Sequence, residues 1–163
     1  MGEGIRVEEL QEEDWEEATK VYAECRRFQT PTNSFSRKDT LGDEFKKAKC
    51  RVLKRGERGI RGLVVFNVEG LVHKHIMLHF IGTLDRGGYN GKILLQNLVI
   101  YAFEANVKMI YSEVSSIDMG ARAFFKKYGF EEYETRESEI LGTRIYKIRA
   151  RTQEVFNKIC RVK

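Results

Sequence analysis

Apolar residues recur along this chain with two different periods, and each change of period marks a new element. Ile5-Arg6-Val7-Glu8-Glu9-Leu10 alternates and predicts a short strand. From about residue 12 the spacing turns helical through Trp15, Ala18, Val21, Tyr22, Cys25 and Phe28. Glu12, Glu13 and Asp14 stand in the first turn and Arg26 and Arg27 in the last, so both ends complement the helix dipole. Gln29 to Ser36 is a polar loop with the only proline, Pro31, suited to a lid or acceptor-binding segment, and a weaker amphipathic helix follows through about Ala48.

From Cys50 the pattern predicts three strands, 51–55, 60–68 and 72–84, separated by a Gly-Glu-Arg-Gly turn and a Glu69-Gly70 turn, and so an antiparallel meander. Residues 93–105 are apolar on nearly every side through Leu94, Leu95, Leu98, Val99, Ile100, Tyr101 and Phe103. Such a helix belongs in the covered centre of an α/β domain. Residues 109–114 read as the next strand, and a strand–helix–strand crossover of this length implies parallel pairing. Asp118 is the N-cap of a helix carrying Ala121, Phe124, Phe125 and Tyr128, and Gly129 ends it. A strand pair follows, 130–135 and 143–150. Residues 151–163 form an amphipathic tail helix that packs either on the domain or on a second subunit as a homodimer. Trp15, Phe28, Phe66, Phe103 and Phe124 read as core.

The chain's 163 residues suit one domain. No stretch approaches the roughly 20 apolar residues of a membrane span, and the N-terminus lacks a signal peptide's pattern, so a cytoplasmic protein with no membrane partner is expected. Cys25, Cys50 and Cys160 are too widely spaced for a zinc knuckle or a disulfide framework, and we read them as reduced, with no metal site. The net charge of +5 comes from 29 Lys and Arg set against 24 Asp and Glu along the whole length. That balance favours an anionic ligand. It argues against nucleic acid, which calls for a dense basic stripe interleaved with aromatics.

The chemistry concentrates in Arg86-Gly87-Gly88-Tyr89-Asn90-Gly91-Lys92, between a strand and the apolar helix. Glycines let backbone N–H groups approach an anion, the helix N-terminus adds free amides and the positive dipole end, and Arg86 and Lys92 bracket the site with charge. It is not a Walker A loop, because Arg86 and Ile93 stand where Gly and Ser or Thr are needed, and it lacks the first glycine of a dinucleotide fingerprint. His73, His75 and His79 occupy odd positions on one predicted strand and so share a face with Met77 and Ile81, while Ile76, Leu78 and Phe80 face the other way.

The element order, this loop and the segment Asp118-Met119-Gly120-Ala121-Arg122-Ala123-Phe124-Phe125-Lys126-Lys127-Tyr128-Gly129-Phe130 together resemble the GNAT superfamily of acyl-CoA N-acyltransferases over nearly the whole chain. Arg86 and Gly91 match the ends of that family's pyrophosphate loop, with Tyr89 at its middle glycine. The later segment looks like the family's Asn-x-x-Ala-x-x-Phe-Tyr-x-x-x-Gly-Phe, with Asp118 for Asn and Phe125 for Tyr. The resemblance implies an α/β fold, a mixed, splayed β-sheet flanked by helices. It implies that acetyl-CoA or another acyl-CoA is the co-substrate and lies between the strand ending near Leu84 and the strand beginning at Met109. Backbone groups at Phe80, Ile81 and Gly82 would pair with the pantetheine arm, and amides from Gly87 to Lys92 would hold the pyrophosphate. Asp118 and Phe125 fall at cofactor-binding positions of the later segment.

On this resemblance the expected activity is transfer of an acyl group, most simply acetyl, to a primary amine by direct attack. His75 lies close to where several family members place the glutamate that deprotonates the amine, and neutral imidazole can do the same. Phenylalanine at 125 has no proton for the departing thiolate, and Tyr128, one helical turn on, is the substitute. Ser112 and Ser115 offer hydroxyls on the facing strand. The alternative is a non-catalytic acyl-CoA sensor of the same fold, motivated by Tyr89 and Phe125. A third reading, an RNA-associated protein, rests on net charge alone.

Overall fold

The structure is a computed structural model that describes residues 4–26, 47–85, 89–138 and 142–161. The polar loop 29–36, the helix expected to follow it, and Arg86, Gly87 and Gly88 lie outside these residues. The described elements run β1 (Ile5–Glu9), a 3-10 turn (Glu12–Asp14), α1 (Trp15–Arg26), β2 (Lys49–Arg55), β3 (Ile60–Glu69), β4 (His75–Thr83), α2 (Asn90–Glu104), β5 (Met109–Ser115), α3 (Met119–Lys127), β6 (Glu131–Glu137), β7 (Arg144–Arg151) and α4 (Thr152–Arg161). The strands form one sheet in the order β1-β2-β3-β4-β5-β7-β6. Every neighbouring pair is antiparallel except β4 and β5, as the crossover through α2 requires.

Each face of the sheet buries its own apolar set. On one side α2, α3 and α4 cover Val64, Phe66, Ile76, Leu78, Ile110, Val114 and Ile148, with Leu94, Leu95, Leu98 and Val99 of α2 at the centre. On the other, α1 lays Ala18, Val21, Tyr22 and Cys25 on Val52, Leu63, Val65 and Phe80. The tail helix α4 packs on its own domain, contributing Val155 and Ile159 to the first core. Asp118 caps α3 by accepting from the Ala121 N–H at 3.3 Å, and Gly129 closes that helix at φ +92°.

The structure corrects three expectations. The helix predicted to be buried all round is two-sided: Ile100 and Phe103 are 45% and 43% exposed, so Phe103 is not core, and it meets Phe156 of α4 edge-on at 5.5 Å. The fourth strand starts at His75, because Gly70 at φ +88° begins a turn that carries Leu71 and Val72 into solvent. The two-residue alternation breaks inside β4. Val65 pairs with Phe80 but Phe66 pairs with Leu78, so His79 is the extra residue of a bulge. The bulge turns Phe80 to the α1 side, where His79 also contacts Asn67, and sends Ile81 to the opposite face with Ile76 and Leu78.

The parallel contact is brief. Only His75↔Met109, Ile76↔Ile110 and Met77↔Tyr111 are in register, after which β4 stays with β3 through Thr83 and β5 stays with β7 through Ser115. Ser112 pins the point of divergence, its buried hydroxyl donating to the Leu78 carbonyl at 2.8 Å. Ser112→Ala removes that buried bond, so we expect about 1 kcal/mol lower stability in urea unfolding.

Candidate active site

Two strands that part from a common origin leave a V, and the start of helix α2 follows the end of β4 at its open side. Beyond Ser112, β4 has no strand partner on its β5 side in register, so the backbone of Phe80, Ile81 and Gly82 forms one wall of the V. Helix α2 starts at Asn90, not at Ile93, so Asn90, Gly91 and Lys92 are its first turn. Tyr89 precedes it with no side-chain cap bond, and no acidic residue stands in that turn. With no side-chain cap and no acidic residue in its first turn, this helix start presents the positive end of its dipole. Gly91 serves packing as well, since a Cβ there would come within 3.2 Å of the Phe124 ring of α3. A larger residue would push the two helices apart beside the V.

Tyr89, at the family's glycine position, is 68% exposed, so its side chain turns outward. One end of the loop is anchored. Asp85 receives a two-point bond from Arg61 of β3, Nη2 to Oδ1 at 2.8 Å and Nε to Oδ2 at 3.2 Å, and a third from Asn90 Nδ2 at 3.0 Å. Sequence reasoning missed Asp85 and Arg61. The only local signal was an acidic residue directly before a basic, glycine-rich segment, and its partner lies 24 positions away.

The vertex carries a second set of groups, on the α1 side. His79, half-buried at the bulge, has Nε2 3.0 Å from Asn67 Nδ2. Burial pulls its basicity below the ordinary value of 6.5, while the nearby carboxylates of Glu69 and Glu113 oppose the shift. His75 stands at the closed end of the V, where the strands are still paired. Its Nε2 is 3.3 Å from Glu69 Oε2, its Nδ1 3.4 Å from the His73 carbonyl, and its ring meets Tyr111 at 5.2 Å. His73 itself falls in the exposed turn before the strand. The aromatic row continues from Tyr111 to Tyr133 at 6.2 Å, and Arg149 lies over Tyr133 at 4.4 Å. Arg136 holds Glu113 at 2.6 Å.

The structure does not bring His75 and Tyr128 together. Tyr128 is buried on the helix side of the sheet, its ring against Phe124 at 5.1 Å. Burial, with Tyr89 nearby, pushes its phenol above the usual value of 10, so it remains a proton donor at neutral pH. Phe125 packs in the same core between Phe124 and Phe130, edge-on to each. Ser115 Oγ is buried without a hydrogen-bond partner, whereas Ser112 is committed to Leu78. Cys50 has its thiol pushed up to about 12 by burial and is inert at neutral pH. Among the described residues no His, Cys, Asp and Glu cluster could hold a metal ion, and no helix is long and apolar enough to cross a membrane.

At the level of sequence nothing matches, neither a protein-family model nor a curated protein. Solved structures do. A Desulfovibrio desulfuricans protein assigned to the GNAT family of acetyltransferases superposes with a TM-score of 0.76 at 16% identity, over 91% of this chain and 99% of that one. The spermidine N-acetyltransferase of Vibrio cholerae, in complex with CoA and spermine, gives 0.72 at 18% identity over 94% and 98%. A chain of the NatC complex bound to Gag peptide and CoA gives 0.69 at 13% over 90% and 98%. The likeness is one of architecture: this chain has the GNAT fold, a mixed seven-stranded sheet flanked by helices.

Proposed function

We propose that this protein transfers an acyl group, most simply acetyl, from acyl-CoA to a primary amine. The observation that carries the reading is the V. The β4 and β5 register ends after three residue pairs, and an uncapped helix N-terminus stands at the open end. A sheet that opens beside a helix N-terminus offers edge hydrogen bonds for a pantetheine arm and the positive end of a dipole for a pyrophosphate. The CoA complexes of two structures with this fold support the same ligand class.

The chemistry is direct attack in a ternary complex. The ammonium of the acceptor loses a proton, the amine nitrogen bonds to the thioester carbonyl carbon, and the carbon–sulfur bond breaks to release the coenzyme thiolate, which is then protonated. We assign proton removal to His79, neutral at pH 7, rather than to His75; its Nε2, which lies 3.0 Å from the Asn67 amide, exchanges that bond for the proton of the acceptor amine. His79 is two residues past the last strand pair, whereas His75 is the first residue of that pairing. His75 and Tyr111 then line the acceptor side. Tyr128 is the hydroxyl that supplies the thiolate's proton. A thiolate with a free pKa near 8.5 leaves readily, so alignment of amine and thioester supplies much of the acceleration.

Isothermal titration with acetyl-CoA, followed by a thiol-release assay over polyamines and peptide N-termini, tests the reading. We expect micromolar binding and release of free thiol with at least one amine class. Absence of binding would remove the acyltransferase reading. Binding without thiol release across the panel would favour a non-catalytic sensor, which the buried phenyl ring of Phe125 at the acid position also suits.

A further inference from the structure

A carboxylate immediately before a pyrophosphate loop is electrostatically out of place. Asp85 is that residue, and the structure shows what it does. Its two oxygens are shared between Arg61 of β3, through both Nη2 and Nε, and Asn90, the first residue of α2. Arg61 is anchored in turn, since its own backbone carbonyl accepts from the Leu84 N–H at 2.9 Å. Asn90 is buried to 3% exposure, and it spends its side-chain amide on Asp85 instead of solvent. Thr83 adds a bond to the Asp85 carbonyl at 3.4 Å. The strand end that leads into the loop and the helix start that leaves it are thus tied to one carboxylate, and that carboxylate is tied to the neighbouring strand.

We propose that Asp85 is a positioning residue for acyl-CoA: it fixes the first amides of α2 relative to the end of β4, while Arg61 cancels the charge that would repel the pyrophosphate. The inference rests on the acyl-CoA reading above. Fork-like pairing suits the task, because a guanidinium bonded at both nitrogens holds the carboxylate in orientation as well as in charge. The bond raises the Arg61 guanidinium above its already high value, so Arg61 keeps its charge at any accessible pH.

Charge and position predict opposite signs for the same substitution. Asp85→Ala removes a negative charge and frees a cation beside a polyanion, so charge alone would tighten acetyl-CoA binding. Positioning predicts weakening, by about tenfold, because the helix amides lose their reference to the strand. Asp85→Asn keeps an oxygen acceptor for Arg61 or Asn90 and is expected to recover most of the loss. Asn90→Ala keeps the ion pair and its charge but cuts the tie to the helix, and it too should weaken binding severalfold.

Isothermal titration of acetyl-CoA into the wild-type protein and these three variants reads all of this, with circular dichroism melts reporting their folding. Weaker binding by Asp85→Ala and Asn90→Ala, with Asp85→Asn between them and wild type, supports the proposal. Equal or tighter binding by Asp85→Ala overturns it, and so does an Asn90→Ala protein that folds and binds as wild type. Wild-type protein that fails to bind acetyl-CoA takes down the acyl-CoA reading itself, an outcome distinct from both.

Discussion

Replacing His79 with alanine is expected to lower kcat for thiol release by about 10²–10³, while leaving the affinity for acetyl-CoA within a few-fold of wild type. The reasoning starts from the bulge. An extra residue in β4 puts His79 at the point where the strands separate, on the α1 side, away from the helix N-terminus that would hold pyrophosphate. Loss of the imidazole therefore touches proton removal and not donor binding. The pH profile gives a second readout. A base whose pKa lies below 6.5 in the folded protein is neutral at pH 7, so the rate should be on its plateau there and fall only as pH drops below about 6.5. Stability follows the same sign. The unfolded chain binds the proton more readily than the folded one, so the contribution of His79 is intact above about 6.5 and is lost as pH falls toward the folded value. His75→Ala is the control. Should it abolish the rate while His79→Ala leaves it unchanged, the base is His75, at the closed end of the V.

Phe66→Ala is expected to cost about 3–5 kcal/mol in urea unfolding. Phe66 is fully buried in β3, and its ring meets Tyr101 of α2 edge-on at 5.1 Å. It also pairs with Leu78 across the bulge that sets the direction of His79. Truncation leaves a cavity between the sheet and the helix that carries the anion site, and a rigid β-sheet collapses into such a void only in part. Phe103→Ala, on the outer side of the same helix, should cost far less, because that ring is 43% exposed and packs chiefly on Phe156. Similar losses at the two sites would show that α2 presents a different face to the sheet.

The contrast between those phenylalanines shows where sequence reading reaches its limit. In a helix as apolar as α2, periodicity no longer distinguishes the face on the sheet from the face toward solvent, so Phe103 reads as core just as Phe66 of β3 does. Where polar and apolar positions contrast, the pattern sufficed. The turn chemistry at Gly129 and the cap at Asp118 were legible because each depends on residues within three or four positions. The helix that follows the glycine-rich segment was legible for the same reason, though it begins three residues earlier than the apolar run.

Other parts of the site depend on contacts between distant positions. A single bulge at His79 reverses every side chain after it, and it exists because β3 and β4 must both pack and twist against their neighbours, which no alternation within β4 reveals. The vertex at Met77 and Ser112 depends on two strands separated in sequence by a whole helix. The clamp on Asp85 is closed by Arg61 from another strand. The order of elements, the parallel crossover and the glycine-rich entry into α2 were written in the linear chain, since these follow from local periodicity, capping and chain length. Which histidine stands at the parting of the strands, and what ties the end of β4 to the start of α2, emerge only on folding. Those outcomes are set by strand register and side-chain pairing, which bring together residues that the linear order keeps apart.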